Sequence, residues 1–256
     1  MMVSLLWTDL LVWGLLAVLI ALGWGASRSP QVRQQWHTVF RSHIAMASAV
    51  ILSFYLLFTL LDSVHLRFAA DSIQSQSEEV QYTERVTLLD LIFVHNIEGV
   101  ERTYSAPFAQ YEYTKSMVVD EHGVTKQEYL PLKHVSSRNE SIKSSLIAVM
   151  IGLAISMVLV LLHILWRSKK GFKDTFRLTL QGRTKLPWRT AYVTMILLVT
   201  LFTWFYILSF DYHVLGTDKV GGDVFYQSLK SIRTGVLIGI LTTLIMLPVA
   251  ILLGEL

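Results

Sequence analysis

The chain has 256 residues, of which 53% are hydrophobic and only 16% are charged, and its mean hydropathy is +0.49. This composition excludes an ordinary soluble domain and is typical of a polytopic membrane protein. The chain has no cysteine, which excludes a disulfide framework and a thiolate metal site. The formal net charge of +3 becomes informative only when it is divided among the loops.

Five segments meet or approach the length of about 20 apolar residues that a helix needs to cross a bilayer. They are residues 5–25, 43–61, 144–166, 191–210 and 232–253. We therefore predict an all-α polytopic membrane protein with about five transmembrane helices and a small α+β extracytoplasmic insert between the second and third. The first segment has no preceding Lys or Arg and no clear cleavage site, so we interpret it as a retained helix rather than a signal peptide.

The charges between these segments predict their orientation. Residues 26–42 hold three arginines and no acid, and residues 167–190 hold eight basic residues against one acid. Residues 62–143 hold eight basic and thirteen acidic residues. Because cytoplasmic loops carry the excess of Lys and Arg, we predict an external N-terminus, an external insert and a cytoplasmic C-terminus. We interpret the basic segment 167–190 as a topology determinant, with lipid or partner binding as the alternative.

The insert, residues 62–143, is too long for a simple connection and is expected to fold. Residues 83–99 are predicted to form a helix that Thr83 caps and Gly99 ends. Further along, two β-prone segments flank the turn "DEHG" at 120–123, which predicts a β-hairpin.

Few polar side chains in the predicted spans suggest chemistry. Asp9 lies near the external end of the first span, where we expect it to reach lipid headgroups, with a proton relay as the alternative. His163 lies near the cytoplasmic end of the third span and is interpreted as a neutral interfacial imidazole. The sequence has no Walker-A loop, no G-x-S-x-G elbow and no histidine pair spaced i, i+4. We therefore predict no catalytic, cofactor-binding or metal site and no enzyme activity.

Residues 213–239, "HVLGTDKVGGDVFYQSLKSIRTGVLIG", are the most distinctive stretch. Glycine-rich loops can cradle phosphate, but Asp218 and Asp223 would repel it. We predict instead that Thr217 or Asp218 caps a short amphipathic helix on the outer surface, which leads into the last span. Arg233 stands at the membrane entrance, where we expect it to snorkel or to pair with a carboxylate such as Asp218 or Asp223.

This stretch resembles the permease subunits of peptide and nickel ABC importers, whose pattern is L-G-T-D-x-x-G-R-D-V, a short helix, then Y-G-A-R and an apolar span. The resemblance covers about residues 180–254 and departs from the family at Gly222, Gln227 and Ser231. The matching positions are Leu215, Gly216, Thr217, Asp218, Gly221, Asp223, Val224, Arg233, Leu237, Ile238 and Gly239.

The resemblance implies a multi-pass permease component of the bacterial inner membrane that forms part of a translocation pathway for peptides or related small solutes. It implies as partners a second permease subunit, ATP-binding subunits and a periplasmic solute-binding protein, with membrane lipid and no nucleic acid. The residues it implies for structural or gating roles are Leu215, Gly216, Thr217, Asp218, Gly221, Asp223 and Arg233.

The expected domains are a transmembrane helix pair (1–61), the extracytoplasmic insert (62–143), a third helix with the basic loop (144–190) and the start of a permease core (191–256). Family members continue with further helices and a loop that docks on the ATPase. We therefore expect a fragment, a truncated product or a permease whose remainder lies on another chain. The alternative is a membrane-embedded sensor or scaffold with an extracytoplasmic ligand- or partner-binding domain.

Overall fold

The computed structural model describes residues 2–3, 7–67, 86–119, 125–135, 141–168, 171–182 and 184–254. Its secondary structure is mostly helical, and five of its helices are long and apolar enough to cross a membrane. This confirms the prediction of about five such helices. They are α1 (Trp7–Arg28), α3 (His43–Ser63), α6 (Ser141–Arg167), α8 (Trp188–Leu208) and α9 (Val224–Gly254).

Shorter elements connect these helices. The short helices are α2 (Pro30–Val39), α4 (Leu88–Ile92), α5 (Val94–Glu98) and α7 (Phe172–Leu180). Strands β1 (Met2–Val3), β2 (His65–Arg67) and β3 (Val86–Thr87) form an antiparallel sheet in the order β1-β2-β3. Strands β4 (Ser116–Val119) and β5 (Thr125–Glu128) pair antiparallel with each other, and the turn predicted at 120–123 lies outside the described residues.

The chain divides into two compact units, each of which gathers segments that are distant in sequence. Unit 1 comprises Met1–Arg28, Phe54–Val94 and Tyr226–Leu256, and unit 2 comprises Ser29–Ser53 and His95–Phe225. The four domains proposed from the sequence remain a division along the chain, whereas these units are a division by contact.

The core of unit 2 is the antiparallel packing of α6 against α8. Ala148, Gly152 and Ser156 follow one face of α6 at four-residue spacing, and both Ala148 and Ser156 are fully buried. A Cβ atom added to Gly152 would lie 2.9 Å from the Cα atom of Thr200, so α8 approaches α6 as closely as a glycine permits. The Trp204 indole N–H donates to the Ser145 hydroxyl oxygen at 2.7 Å, which pairs the start of α6 with the end of α8.

In unit 1, a capping box starts α4. The Thr87 hydroxyl accepts from the Asp90 backbone N–H at 3.1 Å, and the Asp90 carboxylate accepts from the Thr87 N–H at 2.9 Å. Within 83–99, where one helix was predicted, the structure has two short helices, α4 and α5. Thr83 lies outside the described residues. Gly99 directly follows the last residue of α5, as predicted.

The prediction of a separate surface helix before the last span is wrong. Helix α9 runs without interruption for 31 residues, and no Gly or Pro occurs between its first residue and Gly235 to separate a surface helix from the span. Its first turns bury Phe225 and Leu229 on one side and expose Gln227 and Lys230, so this part of the helix is amphipathic. At 1.5 Å per residue, α9 is about 46 Å long and exceeds a hydrocarbon core of about 30 Å.

Candidate functional site

Six of the seven motif residues lie in one loop of unit 2, residues 213–223. The loop closes on itself, because the Val224 N–H donates to the Gly216 carbonyl oxygen at 3.1 Å and Thr217 forms a β-bridge with Asp223. Leu215 is partly exposed within it. Helix α9 begins immediately after Asp223, so neither Thr217 nor Asp218 is its N-cap.

Two glycines let this loop lie directly against the backbone of residues 101–107. Gly216 has a φ of 77° and Gly221 has a φ of 83°, a backbone region that residues with a side chain rarely adopt. An added Cβ atom would lie 2.3 Å from the Ser105 carbonyl oxygen at Gly216 and 1.9 Å from the Glu101 carbonyl oxygen at Gly221. The Glu101 N–H donates to the Gly221 carbonyl oxygen at 2.9 Å. Both positions therefore require glycine.

Thr217 and Asp218 hold the turn itself. The Thr217 hydroxyl donates to the Thr103 carbonyl oxygen at 2.8 Å and lies 3.1 Å from the Ser105 hydroxyl. One oxygen of the Asp218 carboxylate accepts the N–H groups of residues 220 and 222, at 3.0 and 2.7 Å. The carboxylate that the sequence suggested as a cap for a helix is thus used inside the loop.

A buried set of charges lies beneath the loop. His213 Nδ1 lies 2.8 Å from an oxygen of Asp223, and its Nε2 lies 3.7 Å from an oxygen of Glu101. All three side chains are buried. The Glu101 carboxylate also accepts the backbone N–H groups of Lys133 and His134, at 2.9 and 2.7 Å. The two carboxylates and the His213 ring thus join the loop to residues 101 and 133–134, while His213 Nε2 is buried without a hydrogen-bond partner.

Arg233, the seventh motif residue, belongs to a second polar cluster, in unit 1. Its Nη2 lies 2.5 Å from an oxygen of Asp9 and 2.5 Å from the Thr8 hydroxyl. Its Nη1 donates to the Asp62 carbonyl oxygen at 3.2 Å and lies 3.6 Å from the Asp62 carboxylate. His65 Nδ1 lies 3.0 Å from the other oxygen of Asp9. We call these residues the Arg233 cluster.

The Arg233 cluster corrects two expectations. Asp9 is fully buried between Arg233 and His65, so the expectation that it reaches lipid headgroups is wrong. The carboxylates that pair with Arg233 are Asp9 and Asp62, whereas the sequence suggested Asp218 or Asp223. The sequence did hold one indication of this pairing: Arg233, Asp9 and Asp62 all lie at the predicted external ends of spans.

A neighbouring cluster in unit 1 ties α4 to the start of α9. The Tyr226 hydroxyl donates to an oxygen of Asp90 at 2.5 Å, and the Lys230 ammonium donates to the same oxygen at 3.0 Å. Burial alone would raise the pKa of Asp90, but the hydrogen bonds from the Thr87 backbone, Tyr226 and Lys230 outweigh it. The pKa of Asp90 therefore lies below its ordinary value.

The side chain of His163, on α6, contacts α8: its Nδ1 lies 2.9 Å from the Tyr192 hydroxyl oxygen. In the described part of the chain, no three His, Asp or Glu side chains are placed to hold a metal ion together. Comparison of the chain with family models, with curated proteins and with solved structures gives no match.

Proposed function

We propose that this chain is a transmembrane permease component of an ABC importer for peptides or related small solutes. The observation that carries the proposal is the agreement between residues 215–239 and the permease motif. The glycines of that motif, Gly216 and Gly221, stand where a side chain would collide with the backbone of another segment. A chance occurrence of the same letters would not be expected to meet this steric requirement twice.

The position of the motif along the chain also supports the proposal. Its loop ends at Asp223, and the next residue starts a helix that is long and apolar enough to cross a membrane. Arg233, ten residues later, is an arginine held by Asp9 and Asp62 at the same end of α9. In this proposal, α8 and α9 belong to the permease core and form part of the translocation pathway.

We further propose that the N-terminus, the motif loop and an α+β insert over residues 62–143 lie outside a bacterial inner membrane. Two contacts in unit 2 support alternating spans. His43 at the start of α3 lies 2.6 Å from the Thr190 hydroxyl near the start of α8, and the Arg167 guanidinium at the end of α6 lies 4.5 Å from the Trp188 ring. In this proposal, the start of α3, the end of α6 and the start of α8 lie on the same side of the membrane. The excess of basic residues there favours the cytoplasmic side.

Transport in this proposal needs a second permease subunit, two ATP-binding subunits and an extracytoplasmic solute-binding protein, all of which the family resemblance implies. The test is affinity purification of the full chain from its native membranes after cross-linking. We expect an ATP-binding subunit and a solute-binding protein among the captured proteins. Recovery of neither would contradict the proposal.

A transport assay complements the purification. A strain that lacks the chain is expected to lose uptake of labelled dipeptides or oligopeptides, and the wild type and Gly235→Ala should both restore it, since nothing lies within 4 Å of a Cβ added there. Gly221→Ala should restore less, when compared at equal protein level. Unchanged peptide uptake in the deletion strain, together with ligand binding by the chain, would favour the membrane sensor or scaffold.

A further inference from the structure

An apolar groove runs along α6 and α8 in unit 2. Its volume is about 600 Å³, within the range that holds a small-molecule ligand. Thr200 is the only polar residue among its lining side chains, which include Val149 and Leu153 of α6 and Val193, Leu197 and Trp204 of α8. From Val193 to Trp204 the groove extends about 17 Å along α8, which is close to half the thickness of a hydrocarbon core.

Two arginines lie past the Val193 end of this groove, on the helix faces that line it. On α8, Arg189, Val193 and Leu197 are spaced by four residues, so they share one face of the helix. On α6, Arg167 follows Leu153 by fourteen residues, close to four full turns, and so shares its face. The contact of the Arg167 guanidinium with the Trp188 ring joins these two helix ends.

These cations are not neutralised by the protein. Neither Arg167 nor Arg189 has a carboxylate within ion-pair distance in the part of the chain that the structure describes, and Nη1 of Arg167 is buried there without a hydrogen-bond partner. The described residues of the adjoining segment add Lys173, Arg177 and Lys185 against the single acid Asp174. Charge at the end of a membrane-length helix is costly unless an opposite charge or water compensates it.

We propose that the groove and its two arginines form a binding site for one anionic phospholipid. The lipid phosphate contacts Arg167 and Arg189, and one acyl chain lies along the groove toward Trp204. Charge complementarity selects an anionic headgroup, and the apolar lining selects a ligand with a hydrocarbon chain. This site does not depend on the permease function proposed above, since it needs only that α6 and α8 lie in a bilayer.

The test uses the full chain purified in mild detergent and native mass spectrometry with added phosphatidylglycerol or phosphatidylcholine of identical acyl chains. We expect phosphatidylglycerol to bind at least tenfold more tightly. The double substitution Arg167→Gln and Arg189→Gln should weaken it about thirtyfold, from two lost basic contacts with an anionic lipid. The matched control, Arg33→Gln with Arg41→Gln, removes two charges from the other basic segment and should leave binding unchanged.

Three further variants test whether binding depends on charge rather than fold, and on the acyl chain as well as the headgroup. Arg167→Lys with Arg189→Lys should retain most phosphatidylglycerol binding, because both substitutions keep the positive charge. Leu197→Trp should fill the groove and weaken lipid binding at least fivefold, whereas Leu162→Trp, an exposed α6 position outside the groove, should not.

Three results would overturn the proposal. The first is equal affinity for the two lipids, and the second is equal loss of binding in the Arg33/Arg41 control. The third is binding of inorganic phosphate that depends on Arg167 and Arg189 while phosphatidylglycerol fails to compete, since the site would then take a free phosphate rather than a lipid.

Discussion

Replacing Gly221 by alanine should damage the motif loop more than replacing Gly216 by alanine. The new Cβ would lie 1.9 Å from the Glu101 carbonyl oxygen and 2.5 Å from its carbonyl carbon. Both atoms are backbone, so no side-chain rotation can relieve the collision. The φ of 83° adds strain, because alanine rarely adopts that region.

The free-energy cost can be worked from three contributions. A non-glycine residue in the left-handed region costs about 1–2 kcal/mol. Forced repacking against the backbone of Glu101 costs about 1–3 kcal/mol. Loss of the hydrogen bond from the Glu101 N–H to the Gly221 carbonyl adds about 1 kcal/mol. The sum, about 3–6 kcal/mol, corresponds to a fall in Tm of roughly 6–24 °C for a chain of this size.

The assay is thermal unfolding of the full chain in detergent, in which we measure the fraction of protein that remains monodisperse in size-exclusion chromatography. Gly235→Ala is the matched control, because its added methyl group meets nothing within 4 Å and alanine is the better helix former. A Tm for Gly221→Ala within 2 °C of that control would refute the steric reasoning.

Three other changes test the packing of each unit. Asp9→Asn leaves the largely buried Arg233 side chain without its nearest carboxylate, so we expect a loss of about 3–5 kcal/mol in the same unfolding assay; a loss below 1 kcal/mol would contradict the ion pair. The lowered pKa of Asp90 contributes stability above the ordinary aspartate value, near pH 4, and this stability is lost as the pH falls through the lower folded value; Asp90→Asn should remove that dependence from a Tm series between pH 6 and pH 3. Gly152→Ala should cost about 1–3 kcal/mol because its methyl group meets the α8 backbone, whereas Gly239→Ala, in open space, should be neutral; equal Tm values would refute the close approach of α6 and α8.

The long helices could be predicted from sequence because a bilayer imposes a length and a composition on each span independently of its neighbours. All five segments correspond to helices, and their bounds differ from the predicted ones by three residues or fewer, except at the start of α9, which begins eight residues earlier. The motif glycines were also predictable, since an L-G-T-D pattern with Gly221 indicates turns. The close approach to residues 101–107 was not, because it involves a segment more than a hundred residues away.

The partners of buried charges could not be predicted either, because they also come from segments that are distant in sequence. Arg233 was assigned to Asp218 or Asp223 because they are near in sequence, yet its carboxylates, Asp9 and Asp62, come from two other helices. A sequence gives the depth of a charge in a span but not the rotation of each helix. The depth alone would have grouped these three residues, and the packing then decides which of them touch.

The spacing within the motif has a structural reason that joins its two parts. Asp223 is held by His213 immediately before α9, and Arg233 follows on the same uninterrupted helix. Ten residues of helix advance the chain about 15 Å and rotate it about 1,000°, so the start of α9 fixes both the depth and the direction of Arg233. One residue more or less would rotate Arg233 by about 100° relative to the start of α9. The loop that ends at Asp223 and the arginine ten residues later therefore constrain the same helix, one by where it starts and the other by which face it turns to its neighbours.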